Sequence, residues 1–147
     1  MAINTKKVVV GGLVAGVVMN VCDFTLNMML GDQMKASANA FKEGLGDAMA
    51  TMDSTTMTGY IIMDFVIGML IAYMYAAMRP RFGAGAKTAI IAALILWIFG
   101  SIMTTNYLVM GLMTKGLWIT FGIAYLICLV VAALAAGALY SEDTATA

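Results

Sequence analysis

Four long apolar blocks alternate with short polar stretches, and the small and polar residues inside the blocks recur at helical spacing. In the first block Gly12, Gly16, Asn20, Asp23 and Asn27 step by four, four, three and four, which places all five on one stripe of a helix. Valine, leucine and methionine occupy much of the remaining surface. In water such a helix would be amphipathic the wrong way round. In a bilayer the greasy faces meet lipid and the stripe meets other helices. A second stripe, Asp64, Gly68, Ala72 and Ala76, marks the second block.

The blocks predict spans over residues 7–30, 59–78, 86–110 and 117–140. Each approaches or exceeds the roughly 20 residues that cross a bilayer core. Arg79-Pro80-Arg81 is expected to end the second span sharply, because proline disfavours helix in the residue before it. Residues 31–57 form the substantial polar connection. Within them Met34, Ala38, Phe41, Leu45, Met49 and Met52 recur every three or four residues. This pattern predicts a short amphipathic helix at the membrane interface, weakened by Gly44 and Gly46. An ordinary interfacial helix accounts for it, and a lid over a site is the sharper alternative. The expected fold is all-α: one membrane domain over residues 1–147, a four-helix bundle with that interfacial helix between spans one and two.

Composition strengthens the membrane reading. The 147 residues are 63% hydrophobic and 11% charged, with a mean hydropathy of +0.94. A soluble domain carries about 25% charged residues. Lys6 and Lys7 before the first block resemble the start of a signal peptide, and Ala38-Asn39-Ala40 resembles a cleavage site. The first apolar run is, however, longer than the roughly 7–15 residues of a signal core, and Asp23 interrupts it. Lipoprotein processing at Cys22 is disfavoured by Val21 before it.

Basic residues set the orientation. Lys6, Lys7, Arg79, Arg81 and Lys87 fall on one side; Lys35, Lys42 and Lys115 fall on the other, two of them among acidic residues. The positive-inside rule then places both termini in the cytoplasm of a cell whose inner (plasma) membrane holds the chain, and residues 31–57 outside. Arg79, Arg81 and Lys87 are expected to anchor at the headgroup layer.

With that topology, Asp23 lies roughly 10 Å below the outer end of its span and Asp64 at a similar depth. Asn20, Asn27, Thr104, Thr105 and Asn106 fall at or near the same layer. The carboxylates have two readings. In one they are hydrogen-bonded across helices and hold the bundle together, continuing the packing role of Gly12, Gly16, Gly68 and Gly100. In the other they form a site for a proton, an ion or a small solute, since an ionisable residue inside a membrane is expensive to keep there.

Other chemistry is thin. The chain has no histidine, which removes the usual zinc sites, histidine-ligated haem and a histidine base. Its zero net charge gives no basic surface for nucleic acid. No nucleophile–base motif or phosphate loop occurs, so no enzymatic activity, cofactor or metal is expected. Cys22 and Cys128, toward the outer side and nearer the middle of the membrane, read as small buried hydrophobes, with a disulfide or metal pair as the alternative. Of fifteen methionines, Met28, Met29, Met34, Met49, Met52, Met57, Met110 and Met113 fall at outer ends or loops. Thioethers suit Cu(I), but methionine is also a common gap-filler.

The run Tyr75-Ala76-Ala77-Met78-Arg79-Pro80-Arg81-Phe82-Gly83-Ala84-Gly85-Ala86-Lys87-Thr88-Ala89 resembles a hairpin found in small bacterial four-span proteins of uncharacterised function. The start of the first span, Gly12 to Asn20, is similar too. The resemblance implies four spans and no particular activity. The leading expectation is a non-enzymatic, self-associating protein or accessory subunit, with the bilayer and other membrane subunits as partners. The alternative is a small channel or transporter for protons, cations or a small solute around Asp23 and Asp64.

Overall fold

A computed structural model describes residues 3–51 and 53–141. Among these the chain forms α1 (Thr5–Phe41), α2 (Leu45–Ala50), α3 (Ser54–Phe82), α4 (Ala86–Val109) and α5 (Lys115–Leu139), with no strand. The four longer helices are each long and apolar enough to cross a membrane. They run up and down with α1 and α4 at opposite corners, and α3 and α5 touch across the bundle. Met52 and residues 142–147, part of the polar tail, lie outside the described residues.

The first helix departs from the expected pattern. Asn4 caps it by accepting from the Lys7 N–H at 3.1 Å, and it then runs unbroken for 37 residues. That is roughly 55 Å, against a bilayer core of about 30 Å. The span expected over 7–30 therefore continues through residues 31–41. Gln33, Met34, Lys35, Ala36, Ala38 and Ala40 are good helix formers. Their polarity does not end the helix. The expected interfacial helix is the six-residue α2 alone, after a turn in which Gly44 takes φ 80°.

The extension holds α2 against it. Lys35 Nζ pairs with Asp47 at 2.6 Å, Asn39 donates to Asp47 Oδ2 at 3.0 Å, and Asn39 Oδ1 accepts from the Gly46 N–H at 2.6 Å. A Cβ at Gly46 would come within 2.8 Å of the Lys35 carbonyl carbon, so only glycine permits this approach. Ser37 clips the same extension to the α4–α5 loop: its hydroxyl donates to the Leu112 carbonyl at 3.2 Å and accepts from the Thr114 N–H at 3.1 Å.

Pro80 does not end α3. The helix passes through it to Phe82 and stops at Gly83, whose φ is 85° and whose N–H reaches the Arg79 carbonyl at 2.9 Å. Proline removes one backbone donor, but in the last turn little helix remains to be disturbed.

The bundle packs through small residues. α1 and α3 meet at Gly12, Gly16 and Gly68, where a Cβ on Gly68 would lie 2.7 Å from the Gly16 Cα. Ala92, Ala93, Ala132, Ala133 and Ala136 are fully covered elsewhere. Near the chain termini Tyr75 and Tyr140 meet edge to face, with ring centroids 5.9 Å apart. The Tyr75 hydroxyl accepts from the Gly85 N–H at 3.0 Å, and the Tyr140 hydroxyl accepts from the Asn4 N–H at 3.2 Å. Arg79, expected at the headgroups, is half-buried with its guanidinium 5.5 Å above the Tyr140 ring, whereas Arg81 and Lys87 are exposed.

Candidate functional site

This tight packing does not extend along the whole bundle. The buried residues of α4 are Thr88, Ala89, Ala92 and Ala93, all in its first turns. Beyond them α4 leaves α3, held to α5 by Trp97, whose indole N–H donates to the Gly122 carbonyl at 2.7 Å. Gly100, expected to pack helices, faces open space instead: a Cβ there would meet nothing within 4 Å. The gap is a cleft of about 850 Å³ between α3 and α4, backed by α5 and α1.

Asp23 and Asp64 both line this cleft. They come from α1 and α3, one or two turns beyond the glycine contact, and that close approach of the backbones brings the two side chains within hydrogen-bonding reach of each other. Asp64 is only 3% exposed. Oδ1 of Asp23 is buried and has no hydrogen-bond donor among the described residues. Two carboxyls this close, away from water, need a shared proton or a cation between them. Among the described residues no three His, Cys, Asp or Glu side chains gather as a metal cage.

The other expected polar residues divide. Thr104 and Asn106 line the cleft wall on α4. Thr105 and Thr104 both donate to the Ser101 carbonyl of their own helix, at 2.8 and 3.2 Å. Asn20 does not line the cleft; its amide donates to the Gly16 carbonyl at 2.9 Å and to the Ile61 carbonyl of α3 at 3.5 Å, serving the α1–α3 contact. Asn27 lies one turn above Asp23 and lines a second cavity of about 820 Å³, enclosed by α1, α2 and the start of α3.

Aromatic rings do much of the lining, and the sequence reading did not single them out: Tyr60, Trp97, Phe99, Tyr107, Phe121 and Tyr125 all border the cleft. Phe121 and Tyr125 stack with centroids 5.7 Å apart. The signal available in the sequence was the four-residue step from Phe121 to Tyr125 and from Tyr60 to Asp64. The methionines scatter. Met28, Met34, Met49 and Met57 border the second cavity, Met110 borders the cleft, and Met113 lies in a smaller pocket. Cys22 and Cys128 are free thiols within hydrogen-bonding reach of each other, half-buried and buried respectively.

Comparison with known protein families, with curated proteins and with solved structures gives no match in any of the three.

Proposed function

We propose that the chain is a non-enzymatic, multi-pass membrane protein that binds and passes a proton or small cation at the Asp23–Asp64 pair. The observation that supports this reading is the meeting of two carboxyl groups from different helices at the wall of an open cleft. A pair serving packing alone gains nothing from facing open volume. Here the packing is supplied by Gly12, Gly16, Gly68 and Asn20, leaving the carboxyls for a ligand. The aromatic walls suit a cation, since ring faces attract positive charge.

The positive-inside distribution supports an inner-membrane setting with both termini cytoplasmic and α2 outside. Kinship with the four-span proteins that share the Tyr75–Ala89 hairpin belongs to the same proposal.

The test is flux in proteoliposomes driven by a pH or monovalent-cation gradient. Wild type is expected to conduct, and Asp23→Asn or Asp64→Asn to lose at least tenfold while still assembling. Equal flux in wild type and the double variant would sink the reading. Lost assembly in the single variants would return the carboxyls to packing.

A second reading, a self-associating or accessory subunit, is favoured by α4 beyond Ala93. Ile95, Ile98 and Ile102 are exposed there, a face available to lipid or to another helix. A native-mass measurement in the membrane separates the two.

A further inference from the structure

The two larger cavities share one residue. Tyr60 borders the cleft that holds the carboxyl pair and also the cavity under α2. The helices on either side carry the same sequence of positions. On α1, Asn27 borders the α2-side cavity and Asp23, one turn along, borders the cleft. On α3, Thr56 borders the α2-side cavity, Tyr60 borders both, and Asp64 borders the cleft. Four residues advance about 6 Å, so the two cavities succeed each other along the bundle with Tyr60 at both.

We infer that the α2-side cavity is a water-facing vestibule for the carboxyl pair, and that Tyr60 separates it from the cleft, so that the ligand is a small hydrophilic cation arriving from water and not a lipophilic one arriving from the bilayer. This rests on the cation-binding reading above and names its entrance and substrate class.

The chemistry of the vestibule fits. Asn27, Asp32, Lys35, Thr51 and Thr56 are polar residues of its lining. Lys35 is engaged by Asp47 at 2.6 Å, which leaves the carboxylate of Asp32 as the excess charge among these three groups. The position beyond the bilayer follows from the length of α1, whose extension and α2 form the vestibule wall. Tyr60 is half in contact and half exposed, at 49%, so its ring can be altered without opening the core. Its phenol can hydrogen-bond a hydrated ion on one side while the ring face meets the cation on the other.

The test reads access directly. In a Cys22→Ala, Cys128→Ala background, Gly100→Cys places one thiol on the cleft wall, where added atoms meet open space. The protein is reconstituted in nanodiscs and treated with membrane-impermeant methanethiosulfonates, one cationic and one anionic. The cationic reagent is expected to label about tenfold faster than the anionic one. Tyr60→Ala is expected to raise the cationic rate several-fold, and Tyr60→Trp to lower it. A rate independent of residue 60, equal rates for the two reagents, or no labelling in any variant would overturn the inference. Because labelling needs no transport, Tyr60-dependent labelling in a protein without flux would sink the transport reading and leave the vestibule standing.

Discussion

Gly68 of α3 seats against Gly16 of α1 so closely that an added methyl would lie 2.7 Å from the Gly16 Cα. Backbone cannot yield as a flexible side chain can, so Gly68→Ala is expected to separate the helices and destabilise the bundle by about 1–3 kcal/mol, as overpacking does. Unfolding of the purified protein in mixed micelles measures this. Gly100→Ala is the control and is expected to be neutral or stabilising by up to about 1 kcal/mol, since it adds a methyl to open space and favours the helix.

Tyr75 holds the opposite end. It is 2% exposed, meets Tyr140 edge to face and accepts from the Gly85 N–H. Tyr75→Phe is expected to cost about 1 kcal/mol, the net value of one such bond. Tyr75→Ala removes the ring as well and is expected to cost about 3–5 kcal/mol. The same unfolding assay distinguishes the two, and equal effects would contradict a separate contribution from the hydroxyl.

Ser37 uses one hydroxyl for two loop backbone groups. Ser37→Ala leaves the Thr114 N–H without this acceptor and the Leu112 carbonyl without this donor. Amide exchange across residues 111–114 is expected to accelerate by about tenfold, the factor that follows from roughly 1.4 kcal/mol of local stability. Exchange within α5 should be unchanged.

Docking of α2 should depend on pH at both extremes. The hydrogen bond from Lys35, with Asn39 beside it, holds the Asp47 carboxyl below its ordinary range. That contribution is present above the ordinary carboxylate pKa, about 3.9, and is lost as pH falls through the depressed folded value. Asp47 likewise raises Lys35, first by hydrogen bonding and then by charge. That contribution is present below the ordinary lysine pKa, about 10.4, and is lost as pH rises through the raised folded value. Exchange of the Gly46 amide is expected to be best protected between these limits after correction for intrinsic rates. Asp47→Asn should remove the pH dependence and leave the Asn39 contact to Gly46.

Much of the architecture was legible because bilayer-spanning helices announce themselves by length and composition. The shared level of Asp23 and Asp64 along the bundle was also legible, since a fixed rise per residue converts sequence position into height. Their lateral meeting depended on the Gly12–Gly16–Gly68 contact, of which the stripes gave the faces but not the partner. The helical recurrence of Met34, Ala38 and Phe41 was legible, but not that these residues continue α1 without a break, because a change to polar residues looks the same inside a helix as at its end. Pro80 was misjudged because its cost depends on how much helix follows. Trp97 and the Tyr75–Tyr140 contact carried no local signal, as each acts between segments far apart in sequence, and Tyr60 offered only its four-residue step to Asp64. Gly100 and Asn20 had the right residue type for one role and the position for another.

The unbroken length of α1 joins Asp23 to the segment that carries α2. From Asp23 to Phe41 the rod measures roughly 27 Å. A tilt of about 5° at the level of Asp23 therefore carries its tip about 2.4 Å, close to the radius of the helix itself. Because the clamp on α2 and the clip at Ser37 both ride on that rod, a small tilt of α1 at Asp23 would reach α2 and the α4–α5 loop magnified.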